Sequence, residues 1–342
     1  MPPTRIPGNY MDNILTIDNL HTHFTLDDGV VRAVQGLHLA IPRGGTVCLV
    51  GESGCGKSVA ALSVLRLISP PGKIVEGKVT LFRSEGPLEL TALKESANEL
   101  RKVRGKDIAM VFQEPMTSFS PVYTIGNQLL EAVRLHLPMR HREAKAHVLR
   151  VMERAEIPDA ARRFDQYPHE LSGGLRQRAM IAMALVCHPS LLIADEPTTA
   201  LDVTIQAQVL ALLRDLQQET GMSILLITHD FGVVAEIAQQ VAVMYLGVIV
   251  EQAEVGPILK SPLHPYTKAL LQAIPGNVQR KSELKVIPGM VPDPFTQLAG
   301  CPFHPRCEAR IVGRCDRGEP PALLAIESGH WTACHLYAGK TA

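Results

Sequence analysis

The run Gly51-Glu52-Ser53-Gly54-Cys55-Gly56-Lys57-Ser58 fits the pattern G-x-x-x-x-G-K-[ST]. Its glycines let successive backbone N–H groups converge on phosphate oxygens without interference from a Cβ, and a helix opening at Lys57 adds its positive dipole end. Lys57 would contact the β- and γ-phosphates of a nucleotide, and Ser58 would ligate Mg²⁺. Two carboxylates, Asp195 and Glu196, end an apolar run that starts at Leu191. In a nucleotide site the first would hold Mg²⁺, and the second would orient or deprotonate an attacking water. His229 follows a second apolar run, Ser223 to Thr228. Strand-end residues in α/β sheets face the ligand crevice, which suits a histidine sensing the γ-phosphate. Cys301, Cys307, Cys315 and Cys334 form a fourth group, spaced C-x5-C-x7-C-x18-C. That spacing is neither a ferredoxin pattern nor a zinc ribbon. It reads as a four-thiolate metal site, zinc or iron–sulfur, with His304, His330 and His335 close enough in sequence to replace a ligand.

These residues need a frame. β-Branched, loosely alternating stretches over 14–26 and 31–41 read as strands around an Asp27-Asp28-Gly29 turn. The apolar run 46–50 reads as a buried strand, followed by a helix over 57–68 that Pro70-Pro71-Gly72 stops. Further strands are expected at 77–82, 107–112, 191–194, 223–228 and 240–244, with helices at 92–104 and at 203–219, the latter closed by Gly221. Strand signals vanish between 115 and 188, as in a helical subdomain inserted into an α/β core. Beyond about 255 prolines multiply and the tail reads as loop-rich. Strands alternating with helices argue for a parallel sheet covered on both faces.

Composition narrows the class. The chain has 342 residues, a prior of about two domains. A hydrophobic fraction of 46% with 20% charged residues excludes a disordered chain, a coiled coil and a collagen-like repeat. Lys+Arg and Asp+Glu are both 34, so no large positive field invites nucleic acid. The most apolar window, 233–250, is interrupted by Glu236, Gln239 and Gln240 and does not read as a membrane span. The N-terminus lacks the apolar core of a secretory signal, so a cytosolic chain is expected, where seven cysteines are not a disulfide framework. Cys48 and Cys187 lie in apolar surroundings and read as core, and Cys55 as a small filler within its loop.

Leu171-Ser172-Gly173-Gly174-Leu175-Arg176-Gln177-Arg178 distinguishes among phosphate-loop families, because it resembles the signature motif of ABC-transporter ATPases. Physically it is a serine and two glycines ahead of a helix expected from about Leu175, a second anion-binding helix N-terminus. One chain has no use for two phosphate grips on one nucleotide, whereas two chains facing head to tail do. The resemblance implies roles for further residues. Gln113 matches the Q-loop glutamine and would join Ser58 and Asp195 around Mg²⁺. Val59 joins the residues of the 51–58 loop as an ATP contact. Asp195 and Glu196 match the Walker B pair, and Ala200-Leu201-Asp202 the D-loop. Ser172, Gly173, Gly174, Gln177 and Asp202 would reach the partner's ATP, and His229 matches the switch histidine. Phe24 is the candidate adenine-stacking residue, and the alternative register places Val31 there, which cannot stack.

The resemblance narrows further. Gln113-Glu-Pro-Met-Thr-Ser-Phe-Ser-Pro121, Pro197-Thr-Thr-Ala-Leu-Asp-Val-Thr-Ile-Gln206, His264-Pro-Tyr-Thr-Lys-Ala-Leu-Leu271 and the cysteine-bearing tail look like the dipeptide/oligopeptide and nickel importer ATPases. This implies an α/β fold: a P-loop NTPase ABC cassette with a mixed sheet core, an antiparallel N-terminal β subdomain and an inserted helical subdomain at about 115–188. The cassette would span 12–255, and 256–342 would be a loop-rich, cysteine-containing C-terminal extension. It implies an ATPase powering import of di- or oligopeptides, paired with a second, homologous ATPase beneath two permeases fed by an extracytoplasmic peptide-binding protein. Its place would be peripheral, on the cytoplasmic face of the bacterial plasma membrane. Among metals for the cysteine site the resemblance favours a [4Fe-4S] cluster over zinc. The apolar residues Met116, Phe119, Val122, Tyr123 and Ile125, just after Gln113, are expected to form a groove for a permease coupling helix, a face that could equally pack the helical subdomain.

Overall fold

The computed structural model describes residues 12–114, 118–199, 201–273 and 287–339. They fall into two compact units, one made of residues up to 41, 46–92 and 228 onward, the other of 42–45 and 93–227.

The first unit carries two sheets. In one, the strands Gly29–Pro42, Asn13–Leu26, Gly72–Arg83 and Gly86–Glu89 lie side by side in that order, with Asn13–Leu26 antiparallel to Gly72–Arg83 and Gly72–Arg83 antiparallel to Gly86–Glu89. Two of these strands, Asn13–Leu26 and Gly29–Pro42, fall on the β-branched stretches 14–26 and 31–41. Phe24 pairs with Gly72, and its ring lies so close that a Cβ on Gly72 would sit 2.5 Å from it. The second sheet is mixed. Thr46–Val50 runs parallel to Gln240–Tyr245, which pairs antiparallel with Val248–Glu254, and the short strands His330–Thr332 and Leu324–Glu327 extend it. Thr46–Val50 is buried throughout, as a strand covered on both faces must be.

The hairpin joining Tyr245 to Val248 turns through Leu246 (φ 42°) and Gly247 (φ 84°). Two positive φ values make the tight turn that suits the twist of antiparallel strands. A leucine at the first position hides that turn from composition, so the strand Val248–Glu254 was not foreseen. Nor were the helices Val255–Lys260 and Pro265–Gln272 in what reads as loop-rich sequence.

In the second unit, Ile108–Val111, Leu191–Asp195 and Ser223–Thr228 form a parallel set. The last two are wholly buried, matching their uninterrupted apolar runs. Between 115 and 188 the described residues contain helices and no strand: Ile125–His136, His141–Arg154, Ala160–Phe164 and Gly173–Leu185. Ile125–His136 buries Ile125, Leu129, Leu130 and Val133 along one face. The helix Val203–Thr220 ends at Gly221, φ 69°, whose N–H donates to Gln217 O at 2.8 Å, the cap expected from the glycine.

Candidate functional site: the phosphate loop, the acidic strand end and the serine-capped helix

In the first unit the chain leaves Thr46–Val50 through residues 51–56 and enters the helix Lys57–Val64, which ends four residues short of the expected 68. Two glycines of this turn have no substitute. A Cβ on Gly51 would lie 2.2 Å from Met244 O, and one on Gly56, at φ 102°, 2.0 Å from Ala33 O. Ser53 and Gly54 are exposed, while Cys55 and Lys57 are buried. The Lys57 ammonium donates to Gly51 O (2.8 Å), Glu52 O (2.9 Å) and Cys55 Sγ (3.7 Å). Burial pushes the Cys55 thiol up and the nearby Lys57 charge opposes it. A compact ammonium at the base of a glycine-rich helix N-terminus has the charge and the donors to pair with an anion. Ser58 and Val59, half-buried, open the helix.

In the second unit, Leu191–Asp195 delivers a buried Asp195 and, one residue on, Glu196 in the left-handed region at φ 47°. Such a conformation costs a non-glycine residue roughly 1–3 kcal/mol. Its neighbours hold it there. Glu196 N–H donates to Ile227 O at 2.9 Å, and Glu196 Oε2 accepts from Thr199 Oγ1 (2.8 Å) and Gln113 Nε2 (3.2 Å). The structure thus brings together Gln113 and Glu196, residues 83 positions apart.

Ser172 caps the helix Gly173–Leu185, its hydroxyl accepting from Leu175 N–H at 3.4 Å, so the helix starts two residues before the expected Leu175. Ser172 and Gly173 are exposed, and a Cβ on Gly173 would meet nothing within 4 Å. Asp202 is likewise exposed and caps Val203–Thr220 through Ile205 N–H at 2.9 Å. Gln177, by contrast, is buried inside its own unit. Arg178 is buried one residue on and ties this helix to Glu156 and to Gln208 (3.0 Å), an anchor sequence reasoning did not single out. His229 is exposed immediately after Ser223–Thr228. Phe24 is half-buried against Gly72. Phe119 and Ile125 are buried, while Val122 and Tyr123 are exposed, so the apolar face after Gln113 divides between core and surface. Met116 and Ala200 lie outside the described residues.

The expected metal centre is not borne out. All four cysteines of the tail are free, and among the described residues no group of three or more His, Cys, Asp or Glu side chains could hold a metal. The iron–sulfur, [4Fe-4S] and metal-binding expectations for Cys301, Cys307, Cys315 and Cys334 are corrected accordingly. Burial pushes Cys301 and Cys334 up to about 11 and raises Cys307, and Cys315 Sγ instead accepts from Ile311 N–H at 3.3 Å.

Residues 34–199 match the ABC transporter family model, and residues 250–315 match the model for the C-terminal region of oligopeptide/dipeptide transporters. A probable peptide ABC transporter ATP-binding protein of Sinorhizobium fredii is 50% identical over 94% of this chain and 95% of its own length. The dipeptide transport ATP-binding proteins DppD of Bacillus subtilis and Escherichia coli are 46% and 44% identical, over 95% and 94% of this chain and 95% and 96% of theirs. The chain belongs to the family of ATP-binding subunits of peptide ABC importers. A solved dimeric ABC transporter cassette, MJ0796, shares the fold with a TM-score of 0.62 at 26% identity, covering 70% of this chain and 98% of that one. The same protein was also solved as a dimer in a post-hydrolysis state bound to ADP and Pi. As an ABC ATPase of this family, the chain hydrolyses ATP to drive transport. Among its described residues no helix is long and apolar enough to cross a membrane.

Proposed function

We propose that this chain powers the import of di- or oligopeptides, with residues 51–59 as its ATP cradle. The observation that carries the site assignment is the phosphate loop itself: two glycines that tolerate no Cβ and a buried Lys57 ammonium held by loop carbonyls. On nucleotide binding, Lys57 exchanges those carbonyls for β/γ-phosphate oxygens, and the loop N–H groups and helix dipole hold the rest of the charge. Ser58, Asp195 and Gln113 would hold Mg²⁺, which supplies charge neutralisation on the phosphates. Glu196 takes the proton of the attacking water or orients it, and His229 holds the γ-phosphate. Phe24 is the proposed base-stacking aromatic.

The serine-capped helix N-terminus, exposed at Ser172 and Gly173, supports a head-to-tail pairing, in which Ser172, Gly173 and Gly174 of one chain close over the partner's ATP, with Asp202 beside them. Gln177, being buried, contributes there only by supporting the helix. The partner is a second, homologous ATPase, and the pair sits beneath two permeases on the cytoplasmic face of the plasma membrane, with an extracytoplasmic binding protein delivering the peptide. In this reading 12–255 is the cassette, with a helical subdomain at about 115–188, and 256–342 the importer-type extension. Nickel import by the same engine is the alternative cargo.

Reconstitution of the chain with its partner ATPase and permeases in vesicles tests this reading. ATP-dependent dipeptide uptake, abolished by Lys57→Ala, is expected. Uptake of nickel but no peptide would overturn the cargo assignment.

A further inference from the structure

The side chain of Glu52, within the phosphate loop, is bound by a residue 254 positions away. Arg306 Nη1 lies 2.7 Å from Glu52 Oε2 and Nη2 3.0 Å from Oε1, a two-pronged pair. The Arg306 side chain is only 4% exposed. Its Nε donates to Pro288 O at 3.1 Å, and its guanidinium carbon sits 5.9 Å from the Tyr245 ring centre. The Glu52 backbone is held as well, its N–H donating to Tyr266 Oη at 2.9 Å. Tyr266 is fully buried and packs with Tyr245 (4.7 Å between ring centres) and Phe303 (5.2 Å), and Tyr245 and Phe303 are themselves 5.2 Å apart. The start of the loop is thus seated on an aromatic platform contributed by the strand Gln240–Tyr245, the helix Pro265–Gln272 and Phe303, which immediately precedes the short 3₁₀ turn His304–Arg306.

We infer that Arg306, acting through Glu52 and seconded by Tyr266, is a positioning residue for ATP: the C-terminal region sets the conformation of the phosphate loop. The argument is one of geometry and cost. Backbone N–H groups serve a phosphate only if the loop presents them together, and a buried, two-pronged charge pair fixes direction as well as distance. A buried arginine needs its carboxylate, so the pair holds whichever loop conformation keeps Glu52 within its reach. This inference rests on the reading of 51–58 as the ATP site.

The experiment measures MgATP binding and nucleotide-free thermal stability on the full chain, and hydrolysis on the full chain paired with its partner ATPase. Glu52→Gln and Arg306→Gln should each raise KM and Kd for MgATP about fivefold or more while kcat at saturation stays within about twofold. The double variant Glu52→Gln/Arg306→Met leaves no unpaired charge and should bind no more weakly than the weaker single one. Arg306→Lys, which retains the charge but not the fork, should recover part of the affinity. Tyr266→Phe should raise KM without altering kcat. Should Arg306→Gln fail to fold, Glu52→Gln and the double variant decide. Wild-type affinity in both of those, or a loss of kcat with KM unchanged, overturns the inference. Lys57→Ala separates the two ideas: if it binds MgATP like the wild type, the reading of the loop has failed. If it loses ATP while the Glu52 and Arg306 variants do not, only the positioning role has.

Discussion

Gln113 and Glu196 meet at 3.2 Å, the amide of one strand end donating to the carboxylate of another, in a unit where Thr199 binds the same carboxylate oxygen. The contact orients a group that sits one residue beyond a wholly buried strand and in a backbone conformation that disfavours its type. If Glu196 takes the proton of the attacking water, Glu196→Gln keeps the shape and the hydrogen-bonding reach but removes the base. Hydrolysis should fall by about a hundredfold or more while MgATP binding remains, leaving a nucleotide-trapped dimer visible by size-exclusion chromatography. Phosphate release at the wild-type rate would remove Glu196 from that role.

Gly51 is the sharper test of the cradle, because its variant touches no charge. A Cβ there would lie 2.2 Å from a backbone oxygen, Met244 O, and 2.8 Å from Cys55 Sγ. Backbone cannot yield as a flexible side chain does. Gly51→Ala should displace the loop and weaken MgATP binding at least about tenfold. Gly54→Ala is the companion, since nothing lies within 4 Å of its Cβ although its φ of 80° disfavours a side chain. The larger loss is expected at Gly51, measured by titration with a fluorescent ATP analogue. Equal affinities in Gly51→Ala and the wild type would mean that the loop is not the phosphate grip.

Val122 and Tyr123 remain on the surface while Phe119 and Ile125 are buried. A permease helix seated on this face would therefore press on Tyr123. Tyr123→Asp should leave MgATP binding unchanged and reduce peptide uptake by the reconstituted importer about tenfold or more, whereas Phe119→Asp buries a charge and should lower the melting temperature first. Uptake undiminished by Tyr123→Asp would place the permease contact elsewhere.

The sequence disclosed what lies in contiguous runs. The apolar strands Thr46–Val50, Leu191–Asp195 and Ser223–Thr228 came out within a residue of their expected limits, because a strand buried on both faces cannot afford interruption. Gly51 to Ser58 was legible for the same reason: its chemistry is local. What the sequence could not show is pairing over distance. Glu251 is fully buried, and its carboxylate accepts from Leu263 N–H, His264 N–H and His330 Nε2, fastening the helix and strand of the tail to one hairpin. Nothing in the spacing of these residues announces that. Burial pushes the Glu251 carboxyl up, yet these donors outweigh it and leave it below its ordinary value. Cysteine spacing misled in the opposite sense, since proximity along the chain did not become a metal-competent arrangement.

His264 gives the fold a pH dependence. It caps the helix Pro265–Gln272 through Nδ1, which accepts from Tyr266 N–H at 3.0 Å. Burial, helped by Lys268 and opposed by Glu251, lowers it from 6.5 to about 4. The unfolded chain therefore takes up this proton first as pH falls, so the stabilisation is complete above about 6.5 and is lost progressively down to about 4. Full titration is worth roughly 3 kcal/mol. Asparagine retains a cap acceptor without the titration, so His264→Asn should flatten the melting temperature between pH 7 and 5 relative to the wild type. Thermal scans of the nucleotide-free chain at half-unit intervals read this directly. Parallel curves for the two proteins would show that the acid sensitivity of the fold lies in other groups, the Glu251 carboxylate foremost.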